Sequence, residues 1–142
     1  AMLGGISGHA GLFSNSYEVA IVLQSMIQKG KYDNLTIFSN ESFNKFNFCY
    51  FCENDNRSGV GFDKPQIEGK HGSTFGGVSK ESFGHYGYTG SMAWADPEED
   101  LIFIFLSNRT YPTRENTLLQ TSNTRTRSQE IVYKSFIDSK WK

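Results

Sequence analysis

The run Phe83-Gly-His-Tyr-Gly-Tyr-Thr-Gly90 concentrates groups able to do chemistry, with His85 bracketed by glycines just ahead of Gly87 and Gly90. A glycine at position 87 lets a substrate lie against the main chain, and the N–H of Tyr88 can then donate to an oxygen that is gaining negative charge. His85 puts a donor or a cation beside that oxygen, and Tyr86, Thr89 and Gly90 are the neighbours a substrate would touch. This is the equipment of acyl transfer without its nucleophile. The plainer reading of the same residues is a strand ending in a turn, the glycines serving as turn or bulge residues.

Other reactive combinations are weaker. Ser-x-x-Lys occurs as Ser42 to Lys45 and as Ser139 to Lys142, but a chain this rich in serine and lysine holds about one such match by chance. Gly5-Ile-Ser7-Gly-His9 is close to a nucleophile elbow, yet His9 stands where the last glycine belongs, and a helix follows without the preceding strand that an elbow needs. Ser7 therefore reads as a loop residue. Asp96, Glu98, Glu99 and Asp100 crowd one turn, where solvated charge is the ordinary explanation and paired glycosidase acids are not expected. Cys49 and Cys52 are too few for a disulfide framework and read first as structural thiols, with a local disulfide as the alternative. Zinc would need two further ligands, and His71 and His85 are spaced too widely to complete a finger. No metal or other cofactor is expected.

The elements that must position these groups follow from pattern. Ser14, Asn15 or Ser16 can cap a helix with Glu18 in its first turn and Val19, Ile21, Val22, Leu23, Met26 and Ile27 on its apolar face, and Gly30 can stop it. Asn-Glu-Ser-Phe-Asn-Lys-Phe-Asn-Phe, residues 40–48, predicts a short helix or turn. Gly59-Val-Gly-Phe-Asp-Lys-Pro65 and the segment from Phe75 to His85 can hold short strands. Asp96-Pro-Glu-Glu-Asp100 is a strong turn signal, so residues Ser91 to Ala95 and Leu101 to Ser107 are expected to form a hairpin. Leu101 to Leu106 is apolar at every position, which predicts a strand covered on both faces. The last segment predicts a helix with Ile131, Val132, Ser135 and Phe136 turned to the sheet. No internal repeat is seen, and the architecture expected is α+β, an antiparallel sheet flanked by helices.

With 142 residues the chain has room for one domain or for part of a larger one. Fourteen basic residues against fifteen acidic ones give a net charge of −1, which provides no electrostatic footprint for nucleic acid or for an anionic membrane. No apolar run approaches the roughly 18 residues of a membrane span. Ala1 ahead of Met2 reads as an added residue, so the natural start is expected upstream and residues 1–142 are expected to form a single, partial domain.

The stretch from Leu3 to Tyr32, which opens Leu3-Gly-Gly-Ile-Ser-Gly-His-Ala-Gly-Leu-Phe-Ser14, then Gly59-Val-Gly-Phe-Asp-Lys-Pro65, then the stretch from Phe83 to Thr113 resemble, in this order, the C-terminal part of the serine beta-lactamase family. That family includes class C beta-lactamases, penicillin-binding DD-peptidases and related esterases. More narrowly, the chain is similar to the domain fused behind family 3 glycoside hydrolases (beta-N-acetylglucosaminidases) in Bacteroides-type bacteria. In this family Ser-x-x-Lys carries nucleophile and base, Tyr-x-Asn assists proton transfer, and Lys-Thr-Gly or His-x-Gly lines the facing strand. His85-Tyr86-Gly87 matches the third motif. The resemblance implies that His85 hydrogen-bonds the site or a substrate carboxylate, that Tyr88 N–H is half of an oxyanion hole, and that residues 8–14 open a helix, with His9 satisfying loop main-chain groups near the cleft. Tyr32-Asp33-Asn34 precedes Ser42 and so breaks the family order, and Ser139 lies beyond the hairpin.

The resemblance therefore implies that nucleophile and base lie upstream, in another part of the same polypeptide, and that this segment is inactive alone. The reaction expected of the whole is acyl transfer on a beta-lactam, a D-alanyl peptide or an ester, in the periplasm or cell envelope of a Gram-negative bacterium. The alternative is a non-catalytic module that binds peptidoglycan for a linked glycosidase. A sheet edge left open by the partial topology would also favour a homodimer.

Overall fold

In the computed structural model the described residues are 4, 5, 7, 8, 12–54, 56–66 and 72–140, with side chains to residue 137. The first helix, α1, runs Ser16–Ile27. Asn15 caps it by accepting the Glu18 N–H at 3.1 Å, while Ser14 Oγ donates to the Glu18 carboxylate at 2.8 Å, so the first turn is held from both sides. Gly30 ends it as expected. Its φ of +95° suits glycine, and a Cβ there would strike the Phe38 carbonyl. The chain then makes a small hairpin, β1 (Lys31–Tyr32) with β2 (Leu35–Thr36), turning at Asp33 and Asn34, and enters helix α2 (Asn40–Asn47). Ser39 caps α2, whose buried residues are Phe43 and Asn47.

Three strands form the main sheet as an antiparallel meander: β3 (Phe83–Tyr86), β4 (Met92–Asp96) and β5 (Leu101–Phe105), in the order β3-β4-β5. The expected hairpin is therefore present, with β4 ending on Asp96 and β5 on Phe105. A short helix α3 (Leu118–Thr121) and the long α4 (Thr124–Lys140) complete the chain. The architecture is α+β, as the sequence pattern implied.

Strand alternation gives the sheet two unlike faces. Phe83, Ala95, Ile102 and Ile104 meet Leu23 of α1 and Phe43 of α2 in an apolar cluster, where the Phe83 ring stands edge-on to Phe43 at 5.5 Å and to Phe62 at 5.3 Å. Met92, Trp94 and Phe103 point the other way, together with Val78, Tyr86 and Phe105. On that face α4 docks by Gln129 and Tyr133, both almost fully buried. The Tyr133 ring lies 5.1 Å from Phe75, and its hydroxyl donates to Asp96 Oδ2 at 3.1 Å.

Two expectations are corrected here. Ile131 is 65% exposed and Val132 and Ser135 face outward, because the helix turns its i, i+4 pair Gln129 and Tyr133 to the sheet in place of the short apolar cluster; Phe136 is half-buried. Asp96 is no solvated turn residue. It is fully buried, accepting the N–H of Ser79 at 2.8 Å and the Tyr133 hydroxyl with Oδ2, and the N–H groups of Glu98 and Glu99 with Oδ1, so that one carboxylate ties the β4–β5 turn to α4. Its neighbour Glu98 and the positive-φ Asp100 belong to the turn itself.

Candidate active-site edge

The candidate residues sit where β3 gives way to its turn. Gly84 exchanges both main-chain hydrogen bonds with Asp63, at 2.7 and 3.1 Å, on the side of β3 away from β4. Because hydrogen-bonding direction alternates along an antiparallel strand, the N–H and C=O of Tyr86 point to that same outer edge. Gly87 points back, donating to the Ser91 carbonyl at 2.7 Å and accepting from Gly90 N–H at 2.9 Å. Gly90, with a φ of +97° and its Cα face against Leu119 and Ser107, closes a three-residue loop of the kind that needs glycine at its last position. Tyr88 is left with its N–H facing out, and that N–H has no acceptor among the described residues.

Arg109 fixes this loop. It donates through Nε to the Tyr88 carbonyl at 2.9 Å, lies 4.8 Å over the Tyr88 ring, and gives its main-chain N–H to the Thr89 carbonyl at 2.8 Å. Its Nη1 also holds the carbonyls of Arg114 and Asn116, both at 3.1 Å. The Tyr88 and Thr89 side chains are exposed, whereas Gly90 is buried.

His85 and Tyr86 part company. The His85 imidazole is 69% exposed on the α1/α2 side, with Nδ1 at 3.5 Å from Asp63 Oδ2. The same carboxylate lies 3.7 Å from Arg57 and accepts from Ser73 Oγ at 3.3 Å. Tyr86 sends its side chain to the opposite face, beneath the Arg125 guanidinium at 3.9 Å, where the two line a cleft of about 70 Å³ with Leu119, Gln120 and Asn123. Burial pushes the Tyr86 hydroxyl above its ordinary range, although Arg125 and Arg57 pull it down. The edge therefore receives from Tyr86 its main chain and not its phenol. Gly84 is sterically required, since a Cβ there would run into the Ala93 carbonyl and the Trp94 indole, whereas a Cβ at Gly87 would make only ordinary contacts with Ser91.

The other serine candidates are engaged elsewhere. Ser42 Oγ pairs with Ser39 Oγ at 3.0 Å at the start of α2, and Lys45 is tied to Glu41 at 2.8 Å, so this Ser-x-x-Lys is helix capping plus a surface ion pair. Tyr32-Asp33-Asn34 is the β1–β2 hairpin turn. Ser7 is half-buried in irregular chain. His9, His71 and the end of the second Ser-x-x-Lys, Lys142, lie outside the described residues, as does the side chain of Ser139.

Cys49 and Cys52 are joined in a disulfide with Cα atoms 5.6 Å apart, which overturns their reading as free thiols; the turn after α2 brings two residues of separation three into bonding range. Among the described residues no group of three or more His, Cys, Asp and Glu side chains is placed to hold a metal. Asp63 and Arg57 are the site neighbours that sequence reasoning missed. The Gly59 to Pro65 segment carried the only signal, as a possible strand, and its pairing to Gly84 could not be read locally.

The beta-lactamase family model matches residues 2–124. Over 110 residues, 75% of this chain, the sequence is 34% identical to proteins named "Putative D-alanyl-D-alanine carboxypeptidase" from Escherichia coli O157:H7 and Salmonella enteritidis PT4, and 33% identical to one of the same name from Salmonella agona. The chain spans about a quarter, 24%, of the length of these relatives. No solved structure matches. With the His85-Tyr86-Gly87 edge, the Asp63 bridge to Gly84 on its outer side and a family match over most of its length, the chain belongs to the beta-lactamase family.

Proposed function

We propose that this chain supplies the His-x-Gly strand of a serine acyl-transfer site, and that the nucleophile and its base are supplied by another part of the same polypeptide. The observation that carries this reading is the Tyr88 N–H, in the turn that follows β3, which has no acceptor among the described residues and whose loop is held by Arg109. A main-chain donor fixed before the substrate arrives can stabilise a tetrahedral oxyanion without reorganising. His85, poised by Asp63, contacts the substrate or its carboxylate. The main chain of Tyr86 and the Thr89–Gly90 turn form the strip along which an amide or ester is laid. The substrate class is a beta-lactam, a D-alanyl peptide end or a related ester.

Alone the chain does not turn over substrate, because an oxyanion donor without a nucleophile has no acyl intermediate to stabilise. The test is intact-mass spectrometry after incubation with a fluorescent penicillin or a fluorophosphonate, run on this chain and on a longer protein that carries it together with a Ser-x-x-Lys segment. Labelling of the longer protein alone supports the reading. Labelling of this chain, abolished by Ser42→Ala, overturns it. Labelling of neither, with retention on muropeptides, favours the second reading: a peptidoglycan-binding module of a linked glycosidase. The exposed aromatics Phe46, Phe48, Tyr50 and Phe51 are the observation in favour of that reading.

The place of action proposed is the periplasm or cell envelope of a Gram-negative bacterium. The Cys49–Cys52 disulfide supports an oxidising compartment, and no helix among the described residues is long and apolar enough to cross a membrane. The unpaired edge of β5 is where further strands of the polypeptide would add, and a second copy pairing there would give a homodimer. A monomeric mass at every concentration in light scattering counts against the dimer.

A further inference from the structure

Lys64 is 93% buried, since only 7% of its surface is exposed, and yet it lines a cavity of about 690 Å³ between the end of α2, the disulfide turn and the start of β3. Its ammonium donates to Asn47 Oδ1 at 3.2 Å and to the Glu81 carbonyl at 3.1 Å, two neutral acceptors. Among the described residues no carboxylate forms an ion pair with it, and its third N–H has no acceptor. Burying a cation without a counter-charge is costly, and here the cost is visible: burial drives the Lys64 pKa below its ordinary value even though Glu81 and Asp96 oppose the shift. Among the described residues the lining also includes Lys80 and one acidic residue, Glu81, so basic residues outnumber acidic ones there. Asn44 adds a side-chain amide that bonds nothing among the described residues. Phe48 and the Cys49–Cys52 bridge form a firm apolar lip.

We propose that this cavity binds a small ligand through its carboxylate, which takes the third N–H of Lys64 while its uncharged body rests against Phe48 and the disulfide. The site is separate from the Tyr88 edge and stands whether or not the acyl-transfer reading holds. Two sources of the same chemistry fit: the free end of an acylated amino acid, and a sugar acid.

The experiment is ¹⁵N–¹H NMR titration of the protein with N-acetyl-D-alanine and with N-acetylmuramic acid, each beside its uncharged counterpart, N-acetyl-D-alaninamide and N-acetylglucosamine. One or both acids are expected to shift the amides of Asn44, Asn47, Lys80 and Glu81 while the counterparts do not, and the acid that binds identifies the source. A charge-assisted contact predicts affinity at least about tenfold weaker in Lys64→Met. Should that variant fail to fold, Glu81→Gln serves, because removing the opposing carboxylate is expected to tighten binding by about two- to fivefold. Binding is also expected to fade on the alkaline side at a pH below that of an ordinary lysine, as Lys64 loses its proton. The proposal is overturned if neither acid binds, if acid and neutral counterpart shift the same amides alike, or if the shifts fall on His85 to Thr89 instead.

Discussion

The two faces of the β3-β4-β5 sheet are built on different principles. Under α1 and α2 the contact is mainly aromatic and aliphatic, with Phe83 between Phe43 and Phe62 and with Leu23 and Ala95 in the same cluster, and its border is polar, where the Lys64 ammonium lies 5.9 Å over the Phe83 ring and bonds Asn47. Under α4 the contact has an indole and a methionine at its centre, but its fastening is polar: Asp96 holds Tyr133, Ser79 and its own turn, while Gln129 takes the Phe75 N–H at 3.3 Å. That second face also contains buried polar atoms with no partner among the described residues, Trp94 Nε1, Tyr86 OH, Ser79 Oγ and Gln129 Nε2. Apolar burial is non-directional and tolerates a range of conditions, whereas a buried polar network is stable only while each member keeps its partner and its protonation state. The candidate edge lies on the line between the two faces, which is why His85 goes to one and Tyr86 to the other.

Truncating the apolar face should give the largest effect. Phe83→Ala is expected to cost about 3–5 kcal/mol in chemical denaturation, because it removes a fully buried ring and its two edge contacts. A loss that stays the same from neutral to alkaline pH would mark this face as uncharged in its energetics; a strongly pH-dependent loss would break the contrast. On the polar face Asp96→Asn is expected to cost about 1–3 kcal/mol, since an amide N–H₂ would then oppose the Ser79 N–H. Loss of the α4 contact should show first as faster hydrogen exchange of residues 124–137.

Alkaline pH separates the faces further. Burial, then the Asp96 charge, raise Tyr133 above its ordinary value of 10.0, so the folded state keeps a proton that the unfolded state loses near that pH. The unfolded state then binds fewer protons, and stability falls as pH rises past 10.0; Tyr86 acts in the same direction. Lys64 acts oppositely. Its lowered pKa means the unfolded state binds more protons between the lowered value and the ordinary 10.5, so its contribution rises with pH across that window. Tyr133→Phe is expected to cost about 1 kcal/mol near neutrality and to flatten the decline above 10.0, measured as the denaturation midpoint against pH. An unchanged decline would remove Tyr133 from the account.

The smallest change expected is at Gln129. Gln129→Met removes an unpartnered buried amide nitrogen together with one long hydrogen bond, and the two effects should cancel to within about 0.5 kcal/mol. A loss comparable to that of Asp96→Asn would show Gln129 to be a full member of the network.

Several elements were legible because their signals are local. Asn15 and Gly30 bracket α1 by side-chain capping and by positive φ, both properties of single residues. Asp96 to Asp100 turns the hairpin, and the apolar run from Leu101 predicted cover on both sides: α1 packs on one face of β5 and Val78 and Tyr86 share the cluster of Phe103 and Phe105 on the other, while Leu106 at the end of the run stays exposed. The face of α4 was misread because three apolar residues in a polar helix make a weak stripe, and one tyrosine hydroxyl with a buried carboxylate to reach outweighed them. At the candidate site the His85-Tyr86-Gly87 order was readable and so was the turn after it. Asp63 beside His85 was not, because it arrives from more than twenty residues away through a single bridge to Gly84.

The amino-acid sequence by itself determined the helix caps, the glycine turns, the strand alternation and the family to which the chain belongs, since each depends on residue type and spacing along the chain. The tertiary structure alone decided that Cys49 and Cys52 close a bridge, that Asp96 is buried, that Lys64 stands in a cavity with no ion pair among the described residues, and that Tyr88 N–H has no acceptor among them. Those outcomes turn on which distant groups meet and on what water can reach, and no local pattern encodes either.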